Sequence, residues 1–188
     1  MPRAGLSEDR VVEEAEVLAD EGGPVTLVEL ARRLGVQVPS LYKHVAGADD
    51  LQRLVSLRAR TEFSDVLTRA TVGKSGADAV AALAAAYRDW ATAHPGRYAT
   101  TLRAPNPGDP ADIAASSRAI QVIFDALAGY GLVDDDAIDA TRLFRSTLHG
   151  FVTLVAAGAF ALPDLDRSFR RIVAVFQLSL TQWPALTI

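Results

Sequence analysis

Thr26-Leu27-Val28-Glu29-Leu30-Ala31-Arg32-Arg33-Leu34-Gly35-Val36, followed after two residues by Pro39-Ser40-Leu41-Tyr42-Lys43-His44-Val45, is the stretch on which the fold turns. Thr26 and Glu29 stand at the spacing of a capping box, in which hydroxyl and carboxylate each satisfy an orphan backbone amide at a helix start. Leu30, Ala31 and Leu34 then give a short buried face, and Gly35 stops the helix after about two turns. A third helix is expected from Gln37 to His44, with Pro39 tolerated in its first turn and Leu41 and Val45 facing inward.

Working outward, Ser7 with Glu8 and Asp9 reads as a capped first helix. Val11, Val12, Ala15, Leu18 and Ala19 recur at helical spacing until Gly22-Gly23-Pro24 ends it. Downstream, Asp49 and Asp50 open a long helix carrying Leu51, Leu54, Val55 and Leu57 that fades by Gly73. Further helices are expected near Ala77 to His94, Gly96 to Arg103, Asp109 to Tyr130, Asp135 to Phe160 and Asp166 to Gln182. No segment alternates with the two-residue period of a strand, and 33 alanines favour helix. The expectation is an all-α chain of about nine helices. A three-helix N-terminal domain spans residues 1–47, and a second, larger helical domain spans 48–188.

Composition removes several function classes. There is no cysteine, so disulfide frameworks, thiolate nucleophiles and cysteine zinc sites are excluded, and an intracellular location is permitted. Acidic residues arrive within Met1 to Asp9 before any apolar run, so no secretory leader is expected. The uncharged stretch from Ser146 to Pro163 is diluted by His149, Thr147, Thr153 and two glycines, and reads as a buried helix rather than a membrane span. Three histidines without ligand-like spacing argue against a metal site, and neither a metal nor any other cofactor is expected. No hydrolase-like Ser, His and Asp setting and no paired carboxylates appear, so the chain is not read as an enzyme.

Two short helices joined by a tight glycine turn and braced by a preceding helix form a helix-turn-helix, whose second helix can lie in the DNA major groove. Gln37, Val38, Ser40, Tyr42, Lys43 and His44 are left on or near its outer face. The net charge of the chain is −4, yet from Glu29 to Arg60 six basic residues face three acidic ones, a local excess that favours a polyanion. By chemistry, Gln37 suits adenine N6 and N7, Lys43 guanine O6 and N7, and Tyr42 and His44 phosphate oxygens. Arg3 belongs either to an arm in the minor groove or to a solvated terminus. The competing reading is a helical protein-interaction module that never meets DNA.

At these residues the sequence resembles the TetR family of transcriptional regulators, through Leu30-Ala31-Arg32-Arg33-Leu34-Gly35-Val36 and Leu41-Tyr42-Lys43-His44-Val45. The motif match covers about the first quarter of the chain. The resemblance implies a homodimer, a palindromic double-stranded DNA operator, a small-molecule effector bound in the C-terminal domain, and an output that is usually repression in the bacterial cytoplasm. Carried onto this chain, it implies DNA contacts at Thr26, Gln37, Val38, Pro39, Ser40, Tyr42, Lys43 and His44. Ala48 stands where many members have a backbone-binding lysine, and Leu27-Val28 replace residues that are polar in some members. Both departures are expected to lower affinity and shrink the base-reading set. Leu148-His149-Gly150-Phe151 and Ala157-Gly158-Ala159-Phe160 are similar to elements of one subgroup's regulatory domain, although Phe144-Arg145 replaces its usual tryptophan.

In the C-terminal part, Tyr87, Trp90, Tyr98, Leu102, Phe124, Phe144, Thr147, Leu148 and Phe151 line an apolar ligand cavity on one reading and fill plain core on the other. Phe169, Ile172, Val173, Phe176 and Leu180 form a stripe expected at a two-fold dimer interface, together with the uncharged helix around His149.

Overall fold

The computed structural model describes residues 5–161 and 163–183, so Arg3 lies outside the described residues. Among them are nine α-helices, no strand, and one 3₁₀ turn. The helices are α1 (Glu8–Asp20), α2 (Leu27–Leu34), α3 (Val38–Leu41), α4 (Ala48–Thr71), α5 (Gly76–Ala93), α6 (Pro95–Thr101), α7 (Pro110–Leu127), α8 (Asp134–Ala156) and α9 (Leu165–Gln182). The 3₁₀ turn, Ala128–Tyr130, follows α7 directly.

Two compact units result. The first comprises the chain up to Glu62 together with His94–Ser116, and the second Phe63–Ala93 together with Ser117 onward. The core of the first is small and aliphatic. Val11, Val12, Ala15 and Leu18 of α1 meet Leu30 and Ala31 of α2, Leu41 of α3, Val45, and Leu51 and Val55 of α4. Residues three and four apart supply each face, which is why such short helices hold together.

In the same unit, α6 is locked onto the end of α1. Gly96 lies so close that a Cβ there would sit 2.0 Å from the Ala19 carbonyl oxygen, so only glycine fits. The Asp20 carboxylate accepts from the Arg97 backbone N–H at 2.8 Å and from Arg97 Nε at 2.7 Å. It thereby caps α6 from another helix, where His94 supplies no side-chain cap of its own. Arg97 also donates to Glu62 at 2.6 Å. A second polar knot joins α4 to the start of α7. Buried Arg60 donates to Asp112, whose other oxygen accepts from Arg103 and from the Asn106 backbone N–H, each at 2.8 Å. Every oxygen of this fully buried carboxylate therefore has a partner.

The second unit is built on aromatic packing. Phe63 meets Tyr87 and Trp90 at centroid separations of 5.1 and 4.9 Å, and Phe144 meets Phe176 at 5.1 Å. Several helices end one to four residues earlier than expected, α7 giving way to the 3₁₀ turn, and two of these ends have a clear cause. The helix expected to reach Phe160 stops at Ala156, because the Gly158 N–H bonds to the Val155 carbonyl and the Ala159 N–H to the Leu154 carbonyl, closing it. The third helix, expected over Gln37 to His44, is α-helical only over Val38–Leu41. Beyond it the chain tightens into a turn, with the N–H groups of His44 and Val45 both bonding to the Leu41 carbonyl, so that Val45 can reach the core.

Candidate nucleic-acid interface

The local chemistry of α2 follows half of the capping-box reading: the Thr26 hydroxyl caps the helix, but the Glu29 carboxylate turns to Arg32 and the Thr26 N–H bonds to the Pro24 carbonyl instead. Thr26 Oγ1 accepts from the Glu29 N–H at 3.2 Å, and Gly35, with φ +67°, takes the left-handed conformation that ends the helix. Its N–H reaches the Arg32 carbonyl, the Val36 N–H reaches the Ala31 carbonyl, and the chain turns sharply into α3. Gln37 stands just before α3 and does not cap it. Most of the expected contact residues are at the surface. Thr26, Gln37, Pro39, Tyr42 and Lys43 are exposed, and Ser40 and His44 are half-buried. Val38 is drawn partly inward and packs against the core of the unit. Ala48, at the start of α4, is exposed and brings no charge to this surface.

The electrostatics differ from the simple charge count. Arg32 is clasped by Glu29 through two bonds of 2.9 and 2.5 Å. Arg33 pairs with Glu14 at 2.7 Å and Glu21 at 2.6 Å, on α1 and its C-terminal end. Arg53 pairs with Asp50 and Asp109, Arg58 with Glu13 and Glu16, and Arg60 with Asp112. Each arginine of the basic segment thus has its own carboxylate. The hydrogen bond from Arg32 holds the Glu29 carboxyl below its ordinary range, and that from Arg33 does the same for Glu21. Among the described lysines and arginines from Thr26 to Arg60, Lys43 is the one without an ion pair. Sequence reasoning missed this because, although Glu29 and Asp50 lie inside the segment, the acids that hold Arg33, Arg58 and Arg60 lie on or beside α1 and on α7, far away in the chain.

A family description, "Tetracyclin repressor-like, C-terminal domain", matches residues 80–176. The HTH-type transcriptional regulator Rv0681 of Mycobacterium tuberculosis is 38% identical over 90% of this chain and 79% of its own length. The chain belongs to the TetR family. This TetR-family chain is thus a helix-turn-helix transcriptional regulator, as its own motif reads. Its fold is shared with a Rhodococcus sp. RHA1 protein, at a TM-score of 0.78 and 25% identity over 97% of this chain and all of that one. It is also shared with BioQ, solved with its double-stranded DNA operator, at a TM-score of 0.68 and 21% identity over 94% and 99% of the two chains.

In the C-terminal part of this TetR-family chain, the expected pocket residues divide. Tyr87, Trp90, Phe144, Leu148 and Phe151 are buried in the second unit, with Phe124 and Thr147 half-buried. Tyr98, buried, and Leu102, exposed, belong to the first unit. Phe151 lines a cleft of about 400 Å³ with Arg88, Asp89, Thr92, Val155 and Asp166. Thr147 lines an apolar groove of about 330 Å³ between α8 and α9, with Leu143, Ile172 and Val175. Around Phe144 and Leu148 only about 10 Å³ is free, so there these side chains form packed core. His149 Nδ1 lies 3.3 Å from Thr153 Oγ1. Of the stripe expected at the dimer interface, Phe169, Phe176 and Leu180 turn into the subunit's own core, and Ile172 and Val173 are half-buried. The apolar side chains open to solvent on α8 and α9 include Leu143, Val175 and Leu178. Among the described residues no helix is long and apolar enough to cross a membrane, and no group of three or more acidic or histidine side chains is placed to hold a metal.

Proposed function

We propose that two copies of this regulator bind a palindromic operator and that a small molecule taken up by the second unit releases them, which makes the protein a ligand-relieved repressor of the bacterial cytoplasm. Residues 1–47 read DNA, and residues 48–188 bind effector and hold the dimer. The observation that carries the reading is the exposed or half-exposed set Gln37, Ser40, Tyr42, Lys43 and His44, which presents hydrogen-bonding groups and one unpaired cation on and immediately flanking the second helix of a helix-turn-helix. Tyr42, His44 and Thr26 suit phosphates, which position the protein, while Gln37, Ser40 and Lys43 suit base edges, which specify the sequence.

A recognition element of four helical residues reads few bases by itself. Two of them about 34 to 36 Å apart on a two-fold axis fit successive major grooves. Leu143, Val175 and Leu178 supply an exposed apolar surface for that self-association. α4, which continues from the DNA-reading unit into the second one, is the lever between effector and operator. An effector that favours misspaced reading elements weakens operator binding by the same factor, typically worth about 1 to 3 kcal/mol.

The test is titration against duplex DNA at two salt concentrations, followed by selection from randomised duplexes. Binding that weakens with salt by a slope of about 0.9 per neutralised phosphate, and a two-fold symmetric consensus, are expected. A flat salt response and no enriched duplex would leave the chain as a protein-interaction module.

A further inference from the structure

One residue of the helix-turn-helix has no role in the account above. Val28 is 70% exposed, more open than any other large apolar side chain among the described residues. It is the second residue of α2. The ion pairs of Arg33 with Glu14 and Glu21 mark the flank of α2 that faces α1. Buried Leu30 and Ala31 mark the side that faces the core. Val28 precedes Arg33 by five positions, about 140° around the helix axis. It therefore lies on the flank of α2 away from α1, two residues from Thr26 at the start of the helix. Arg32, one turn further along, is also exposed but is held by both oxygens of Glu29. That flank of α2 thus presents an exposed apolar side chain and no free cation.

An isolated pair of methyl groups at that place gains nothing from water and nothing from phosphate. The one apolar group that a base pair presents in the major groove is the C5-methyl of thymine. We infer that Val28 is a specificity-determining contact, packing against a thymine methyl in each operator half-site. The inference rests on the DNA-binding reading above. It reverses the expectation that an apolar residue at this position merely shrinks the base-reading set.

The experiment compares wild type with Val28→Ala, a truncation that an exposed side chain tolerates, as matching thermal melts would document. Both proteins select from randomised duplexes, and the thymine positions of the wild-type consensus are then replaced by deoxyuridine one at a time, which deletes only the methyl. Wild type is expected to lose about fourfold in affinity at one position per half-site, the worth of one buried methyl, while Val28→Ala loses nothing there and accepts other bases. If deoxyuridine costs both proteins equally, or costs wild type nothing at every position, Val28 touches only backbone or solvent and the inference is overturned. If neither protein enriches any duplex, the DNA-binding reading itself fails and the contact falls with it.

Discussion

Lys43 carries a burden that the composition of its surroundings would not lead one to assign to a single residue. With the five neighbouring arginines of the segment held by carboxylates, it is the cation free to meet DNA without first breaking a pair. Lys43→Ala is therefore expected to weaken operator binding by about 1 to 3 kcal/mol and to relax discrimination at one base pair, read by anisotropy titration over single-base operator variants. Equal affinity of mutant and wild type for every variant would remove Lys43 from the reading surface. Glu16 illustrates the opposite case, a charge placed where it is costly. It is 5% exposed on α1, one oxygen lies 3.4 Å from Arg58 Nε, and the other has no hydrogen-bond partner. Burial pushes its carboxyl up, and the nearby Arg58 opposes that only in part. The folded state then holds the proton more tightly than the unfolded chain. The stability associated with the protonated form is full below the ordinary value of 4.5 and is lost as pH rises through the raised one. Glu16→Gln is expected to melt higher than wild type at pH 7, with the gap closing towards pH 4. A gap that widens in acid would mean that the Arg58 pair dominates.

At the scale of elements, the joint between α1 and α6 is the least forgiving. A methyl at position 96 meets backbone, not a movable side chain, so Gly96→Ala has to push α6 off α1 or bend one of them. The expected cost is about 1 to 3 kcal/mol by chemical denaturation, with the Arg97 amide losing protection from hydrogen exchange as its bond to Asp20 lengthens. An unchanged midpoint would show that the two helices do not rest on each other. Helix existence and order were legible in the sequence because caps, glycine stops and apolar periodicity are all local signals. Thr26, Gly35 and the run from Leu30 to Leu41 behave as that reading requires. The contacts of Gly96 and Asp20 were not legible, since their partners lie about 75 positions away and no short-range pattern encodes them. The same holds for the surface of α2 and α3. Its outward residues could be named from helical spacing, but the pairing that leaves Lys43 alone depends on tertiary placement. On α9, the periodic stripe Phe169, Phe176 and Leu180 was visible. Periodicity marks a buried face without saying whether a neighbouring helix or another subunit buries it.

For the whole molecule, assembly is the property on which operator reading depends. Leu143, Val175 and Leu178 are exposed on α8 and α9, beside an apolar groove. The double substitution Val175→Glu and Leu178→Glu is expected to halve the mass seen by light scattering at micromolar concentration. It should leave the helical signal intact and abolish tight binding to a full palindrome. A dimer that survives both charges would place the interface elsewhere. The lock between Gly96 and Ala19 also bears on how such regulators can be recombined. A hybrid spliced at residue 47, pairing this reader with a foreign sensor, would leave Asp20 facing whatever the new partner offers in place of Arg97. Transplanting the stretch from His94 to Ser116 along with the reader keeps its native buttress, and that is the graft with the better prospect of a stable product.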